Sequence, residues 1–237
     1  MVGMIVRNRV FQIALSVVIA SSGVALLSEV AEAHCPGTNA SGGRDYAADR
    51  LSLSSNANGV KAIIAWTNPA VCGNVSGSPF SLEGTTLCKT SSCPGWVQTG
   101  WVRFSSWSEP KMYCEFVDSG GAGVKYFFPL THVTHTFQMA YDSFDLVWDC
   151  FLDGAGKASR GGLGFAAGDY LNVQGEVNST HSQIGLVASS KLLFNSMRYR
   201  NTSGSWVVFN PNSAYVESPY GYDRPASDQF RNWTNAH

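Results

Sequence analysis

Hydrophobic and polar positions alternate with a period of two in several stretches of this chain, and residues 96–104 show the pattern most clearly. Trp96, Gln98 and Gly100 fall on one face of a strand there, and Trp101 falls on the other. Apolar bulk on both faces predicts a central strand that is covered on each side. Gly100 packs nothing and a buried Gln98 needs hydrogen-bond partners. These two positions therefore predict either a groove that faces a ligand or a core glutamine that neighbouring backbone satisfies.

The stretch 170–177 divides in the same way into an apolar and a polar face. The polar face carries Asn172, Gln174 and Glu176, which cannot lie in a deep core without partners and so line solvent or a groove. If Glu176 and Gln98 meet across one concave sheet face, the carboxylate can take a proton from water, and the amide can donate to the oxyanion of an attacked carbonyl. The groove lining predicted around this candidate catalytic pair consists of Trp96, Asn172 and Gln174.

Alternation and turn residues together predict about nine or ten strands, and no helical periodicity, after residue 33. The predicted strands cover residues 60–66, 80–82, 96–104, 112–117, 124–130, 135–142, 145–152, 170–177, 191–199 and 204–209. A glycine-rich loop is expected over 154–168. This succession of short strands predicts an all-β fold, an antiparallel two-sheet sandwich or barrel.

Residues 1–33 have the pattern of a secretory signal peptide. A short segment with two arginines precedes an apolar run over 10–27, and Ala31-Glu32-Ala33 provides a small-x-small cleavage signal. We expect a secreted mature chain that starts at His34. The alternative is an uncleaved membrane anchor, because the apolar run is close to spanning length.

Three further parts are predicted after the leader. Residues 34–58 are polar and rich in Gly, Ser and Asn, and we expect an N-terminal segment there. Residues 59–210 hold the predicted sandwich domain. Residues 211–237 are polar with scattered aromatic side chains, which predicts an irregular C-terminal tail.

Charge and hydropathy narrow the choice of partner. The formal net charge is -1 and charged residues make up 14% of the chain, so nothing indicates a nucleic acid or an anionic membrane. No segment after the leader is apolar enough to span a bilayer. The expected partner is a polypeptide substrate or, for a binding protein, a glycan or peptide ligand.

Six cysteines, all after residue 33, indicate up to three disulfides in an exported protein. They are Cys35, Cys72, Cys88, Cys93, Cys114 and Cys150. The sequence leaves their connectivity open, although Cys88 and Cys93 would close a tight local loop. Irregular spacing without a C-x-x-C pair argues against a metal site, and neither a metal nor another cofactor is predicted.

Four short motifs resemble, in order, those of a known peptidase family. The segment 96–100 (Trp-Val-Gln-Thr-Gly) resembles the strand that carries the catalytic glutamine in secreted glutamic peptidases of the eqolisin type. Tyr113-Cys114-Glu115-Phe116 is similar to the family's Trp-Tyr-Glu-Trp strand. Gly175-Glu176-Val177 is similar to the site of its catalytic glutamate, and residues 192–196 resemble its closing strand. The motifs lie within residues 60–200.

The resemblance implies a concanavalin-like or jelly-roll double-sheet sandwich and an endopeptidase that acts at acid pH. Glu176 would be the general base and Gln98 the oxyanion donor, with Glu115 and Tyr113 as secondary active-site residues. The chain departs from the family just past the Gln-Thr-Gly motif, where Trp101-Val102 stands in place of an acidic residue.

Two other functions stay open from the sequence. The first is a secreted sandwich that binds a glycan or peptide in the same groove without cleaving it. The second is a structural surface protein in which Gln98 and Glu176 are merely satisfied polar groups.

Aromatic and histidine side chains offer weaker signals. Four tryptophans could form a sugar-stacking platform, although such residues are more often sandwich core; they are Trp96, Trp101, Trp107 and Trp148. His132 and His135 lack a nearby carboxylate ligand set, so we expect them at the surface or at strand ends rather than on a metal.

Overall fold

The computed structural model describes residues 42–72, 78–179 and 181–235. Within these ranges the chain forms fifteen strands and no helix. The strands are β1 (Gly42–Ile64), β2 (Phe80–Cys88), β3 (Trp96–Phe104), β4 (Lys111–Val117), β5 (Gly123–Phe128), β6 (His135–Asp142), β7 (Val147–Leu152), β8 (Ala155–Gly161), β9 (Gly168–Ser179), β10 (Leu186–Val187), β11 (Leu192–Asn201), β12 (Trp206–Val208), β13 (Ser213–Val216), β14 (Tyr220–Asp223) and β15 (Phe230–Thr234).

The long strand β1 belongs to both layers of the fold. Its first half lies between β13 and β9 in a layer that continues through β2, β3, β4 and β5, which we call the groove sheet. Its second half lies between β6 and β11 in the other layer, the back sheet, which also contains β7, β8 and β15. The pairing of β1 with β9 shifts register between Ser52 and Ala57, where the strand passes from one layer to the other.

The inner faces of the two layers meet in one apolar core. Trp101 of β3 is fully buried there, together with Phe137 and Met139 of β6. The Trp101 indole N–H donates to the Ala65 carbonyl at 3.1 Å, so the central strand of the groove sheet is tied to the end of β1. The predicted all-β double-sheet sandwich is confirmed, with more strands than the nine or ten expected.

Disulfides bind the layers together and close one local loop. Cys114 of β4 is bonded to Cys150 of β7, which joins the two layers across the core. Cys88 and Cys93 form the predicted local disulfide. Cys72 is also disulfide-bonded, whereas Cys35 and the predicted leader lie outside the described residues.

Removing the inter-layer disulfide should cost much more stability than removing the local one. The bond between Cys114 and Cys150 joins residues 36 apart, and closing a loop of that length stabilises a fold by about 4 kcal/mol. The double variant Cys114→Ala/Cys150→Ala should therefore melt about 10 °C lower. Cys88→Ala/Cys93→Ala is the matched control, because its residues are only 5 apart. An equal or larger loss in the control would contradict the role given to the inter-layer bond.

Strands also lie in four stretches where the sequence pattern predicted none. β1 begins inside the 34–58 segment, β8 lies inside the 154–168 loop, β10 lies between the predicted strands 170–177 and 191–199, and the last three strands lie within 211–237. Polarity hid the start of β1, β8 and the last three strands for separate reasons. Asp49 of β1 is fully buried against Arg224, and β8 is almost wholly exposed. β13 and β14 are mostly exposed or half-exposed, and the buried side of β15 includes the polar Asn232 and Thr234.

Within the described ranges, no helical segment has the length and apolarity that crossing a bilayer requires.

Candidate active site

One continuous row of polar side chains crosses the groove sheet on the face that points away from the core. Cross-strand pairing places these residues opposite one another on six neighbouring strands, in the order β1, β9, β2, β3, β4 and β5. They are Arg50, Asn172, Thr86, Gln98, Glu115 and Lys125, and we call this row the polar rung. Because these residues are paired directly opposite one another, the rung runs perpendicular to the strands. Neighbouring positions are about 4.8 Å apart, and the rung can contact an extended ligand along its length.

A groove of about 330 Å³ lies over the polar rung. All but one of the sequence-predicted site residues line it, namely Trp96, Gln98, Glu115, Asn172, Gln174 and Glu176. Residues without a recognisable signal in the sequence complete the lining, among them Arg44, Tyr46, Arg50, Thr86, Lys125 and Tyr170. The structure thus gathers the predicted residues, which come from three separate strands, around one cavity.

The polar rung contains several buried polar atoms without a hydrogen-bond partner. Gln98 is only 4% exposed, and its Nε2 has no acceptor. Asn172 Oδ1, Thr86 Oγ1 and Arg50 Nε are likewise unpaired. Buried polar atoms in native proteins are almost always hydrogen-bonded to protein or water. A row of unpaired donors and acceptors along one groove therefore marks a surface that water or a ligand completes.

Glu176 is a buried carboxylate held by two neighbours. It is 4% exposed, its Oε1 lies 3.1 Å from Arg44 Nη1, and its Oε2 accepts from Gln174 Nε2 at 3.0 Å. Burial raises the pKa of Glu176 above its ordinary value, and the Arg44 guanidinium opposes that rise. The negative charge of Glu115 raises the pKa further, so the two carboxylates are within electrostatic reach of each other.

Glu176 and Gln98 share the groove but stand at different levels of the sheet. Gln98 is opposite Thr86 on β2, and Thr86 is opposite Asn172 on β9. Glu176 is opposite Leu82 and lies four residues further along β9, a distance of about 13 Å along the strand. The rung position level with Gln98 is therefore an amide, Asn172. To act on one carbonyl and one water, the Gln98 and Glu176 side chains must lean toward each other along the groove.

Tyr113 lies under the groove and explains the glycine at position 84 of β2. Gly100 is opposite Tyr113 on one side and opposite Gly84 on the other. A side chain at Gly84 would collide with the Tyr113 hydroxyl, whereas a side chain at Gly100 would collide with the Glu83 backbone. The buried hydroxyl has no hydrogen-bond partner. Burial and the charges of nearby carboxylates raise the pKa of Tyr113 well above its ordinary value, so the phenol stays a neutral donor.

Glu83 is a second buried carboxylate, on the core side of β2, that the sequence did not reveal. It accepts from the Gly185 backbone N–H at 2.5 Å and from Asn232 Nδ2 at 2.6 Å, and it packs behind Gly175. Burial raises its pKa from 4.5 to about 8, although both hydrogen bonds act in the opposite direction. Glu83 supports the part of β9 that carries Gln174 and Glu176.

The buried Glu83 should make the fold less stable as pH rises. The native state holds the proton up to about pH 8, whereas an unfolded glutamate releases it near 4.5. Between those values the native state binds more protons, so the free energy of unfolding falls with increasing pH. Urea titrations at pH 4.5 and pH 8 should show a smaller decline for Glu83→Gln than for the wild type. Glu109→Gln, an exposed site, is the control, and an equal decline in Glu83→Gln would contradict this assignment.

The other candidate side chains lie away from the groove. His135 Nδ1 is 2.7 Å from Asp153 Oδ2, and His132 Nε2 is 2.7 Å from Glu109 Oε2. In the described part of the chain, no three metal-ligating side chains gather at one place. The four tryptophans do not form one platform, because Trp101 and Trp148 are buried in the core while Trp96 lines the groove.

No family model matches the chain, and no curated protein is detectably similar to it in sequence. Solved structures are similar in fold. Scytalido-glutamic peptidase with a peptide-based transition-state analogue superposes with a TM-score of 0.54 at 12% identity, over 82% of this chain and 100% of that chain. A second complex of that peptidase with a transition-state analogue inhibitor gives 0.51 at 11% identity with the same coverage.

SCP-B, a member of the eqolisin family of peptidases in complex with the tripeptide Ala-Ile-His, gives a TM-score of 0.52 at 10% identity, over 82% of this chain and 100% of that chain. The chain shares the fold of these peptidases. Identities of 10 to 12% carry the likeness no further than the fold. Any activity of this chain therefore has to follow from its own groove.

Proposed function

We propose that this protein is an exported hydrolase of the glutamic-peptidase kind that takes an extended polypeptide along its groove. Glu176 is the general base, and Gln98 donates to the oxyanion. One observation carries the proposal: the Gln98 amide is a buried donor without an acceptor in the same groove as a buried carboxylate. A donor in a groove that has no acceptor within the protein is able to bind an oxygen of a ligand.

The proposed reaction needs no group outside this chain and water. The Glu176 carboxylate takes a proton from water, the water oxygen bonds to the scissile carbonyl carbon, and Gln98 Nε2 donates to the resulting oxyanion. The C–N bond then breaks as the proton passes from Glu176 to the leaving amine. Tyr113 and Glu115 lie beside this path, Tyr113 as a neutral donor in the floor and Glu115 opposite Gln98 on β4.

The proposed pH range follows from the state of Glu176. A general base must be ionised, and the pKa of Glu176 is raised above its ordinary value of 4.5. Activity should therefore rise with pH through a value above 4.5. This places the rising limb of the expected pH profile above the ordinary pKa of a glutamate.

Export is part of the proposal. Two disulfides among the described residues fit an oxidising compartment, and the leader predicted over 1–33 would direct the chain there. The test is N-terminal sequencing of protein secreted from cells that express the full chain, with His34 as the expected first residue.

A second candidate is a groove that binds a polypeptide or glycan without cleaving it. The observation that favours it is the offset between Gln98 and Glu176, together with the Arg44 and Gln174 contacts that already engage both oxygens of Glu176. This candidate predicts saturable binding and no new chain ends at any pH.

The deciding experiment incubates the purified protein with a reduced and carboxymethylated protein substrate between pH 3 and pH 8. Mass spectrometry then counts new peptide ends against an identical sample of Glu176→Gln protein. Cleavage by the wild type that is absent in the variant supports the hydrolase. Tight binding of the substrate without new peptide ends would support the second candidate, a protein that binds its ligand without cleaving it.

A further inference from the structure

We propose that Arg50 gives the groove a preference for polypeptides that carry a carboxylate at the β1 end of the polar rung. The proposal rests on the proposed function for the ligand class, a polypeptide, and adds the chemistry that the groove selects. The carboxylate can belong to an Asp or Glu side chain or to the C-terminus of the ligand.

The charges in the groove leave Arg50 without a counter-charge. The Arg44 guanidinium lies 3.1 Å from the Glu176 carboxylate, and Lys125 Nζ lies 3.2 Å from the Glu115 carboxylate. Arg50 also lines the groove, yet in the described part of the chain no carboxylate lies within ion-pair distance of it, and its buried Nε has no acceptor. An arginine that lines a groove with unpaired N–H groups is suited to bind a carboxylate from outside.

The Tyr215 ring holds the Arg50 guanidinium in place by a cation–π contact. The guanidinium carbon lies over the ring, 4.4 Å from its centre. Arg50 Nε keeps an N–H without an acceptor, which can donate to a ligand. A group that is already held in place loses less entropy when it binds.

The rest of the polar rung explains why the carboxylate would belong to a polypeptide. Between Arg50 and Gln98 the rung presents an unpaired acceptor at Asn172 Oδ1 and an unpaired hydroxyl at Thr86 Oγ1, and Gln98 Nε2 is an unpaired donor. An extended polypeptide offers both N–H and C=O groups to such a series. Arg50 and Gln98 are three strands apart, about 14 Å, which is roughly four residues of extended chain.

Binding can be tested without cleavage by using Glu176→Gln protein. The probes are N-acetylated, C-amidated octapeptides of alanine with one phenylalanine, in which a Glu or a matched Gln is scanned through each position. A parallel Gln set ends in a free carboxylate. Competition fluorescence polarisation should show Glu binding about tenfold more tightly than Gln at one or two adjacent positions. Adding Arg50→Gln should abolish that preference, and adding Arg50→Glu should transfer it to a Lys-containing peptide.

Arg160→Gln is the matched control, because Arg160 is exposed on β8 of the back sheet. It should leave the Glu preference unchanged, and thermal melting of each variant checks that it folds. Equal binding of the Glu, Gln and free-carboxylate peptides would overturn the inference, as would a Glu preference that survives Arg50→Gln. Binding of an oligogalacturonate in place of every peptide would overturn the polypeptide assignment. A retained Glu preference in a protein that cleaves nothing would overturn the proposed hydrolysis and leave the inference about Arg50 standing.

Discussion

Replacing Glu176 by glutamine should lower kcat/KM for polypeptide hydrolysis by about 10²- to 10⁴-fold. The variant keeps the size of the side chain and can still accept a hydrogen bond from Gln174. An amide cannot take a proton from water, so the general base is lost while the groove keeps its shape. The measurement is the initial rate of peptide release at the pH where the wild type is most active, with circular dichroism to confirm the fold.

Glu109→Gln is the matched control for this loss. Its carboxylate lies outside the groove beside His132, and neutralising it should leave the rate unchanged. If Glu176→Gln retained wild-type kcat/KM, Glu176 would not be the general base. Its position four residues away from the polar rung along β9 would then count against a catalytic role.

Replacing Gln98 by leucine should lower kcat by about 10²- to 10³-fold with little change in KM. Leucine has a similar volume but no donor, so the oxyanion loses a hydrogen bond that the ground-state carbonyl uses much less. An interaction made only in the transition state shows itself in kcat rather than in KM. Because Gln98 Nε2 has no acceptor in the protein, its removal should not destabilise the fold.

Gln138→Leu on β6 provides the control. Gln138 lies outside the groove, so this variant should keep the kcat and KM of the wild type. A rise in KM with unchanged kcat for Gln98→Leu would show that Gln98 only binds ligand. A lower melting temperature would show instead that the amide is part of the folding core.

The central strands were predictable because one of their faces is regular. In β3, the fully buried Val97, Thr99 and Trp101 alternate with groove residues, and this period of two is visible in the sequence. The first half of β1 was missed, although its end was predicted as the strand 60–66, because Asp49 occupies an inward position and is satisfied by the distant Arg224. A tertiary ion pair of this kind leaves no local signal, so the strand is indistinguishable from a polar loop.

The site was predictable in its residue types but not in its register. Gln98 and Glu176 were expected to meet, and the sheet places both in the groove while setting Asn172, rather than Glu176, level with Gln98. Register depends on which strands pair and on where bulges shift that pairing. The spacing of residues along the chain encodes neither of these. Arg44 and Arg50 were missed with the first half of β1, which carries them.

The burial of Glu83 also could not be predicted from the sequence. Its neighbours on β2 give no sign that it is enclosed, since a glutamate in a strand is usually solvated. Only the approach of Asn232 and the Gly185 backbone from distant parts of the chain makes it a buried acid.

The most direct test of the account is the activity of the double variant Gln98→Leu/Glu176→Gln beside the two single variants. If both side chains act on one bound carbonyl and one water, the double variant should be no slower than the slower single variant, because groups that act as a unit have non-additive effects. If the two losses multiplied in full, Gln98 and Glu176 would act independently, and the claim of one shared catalytic groove would be wrong.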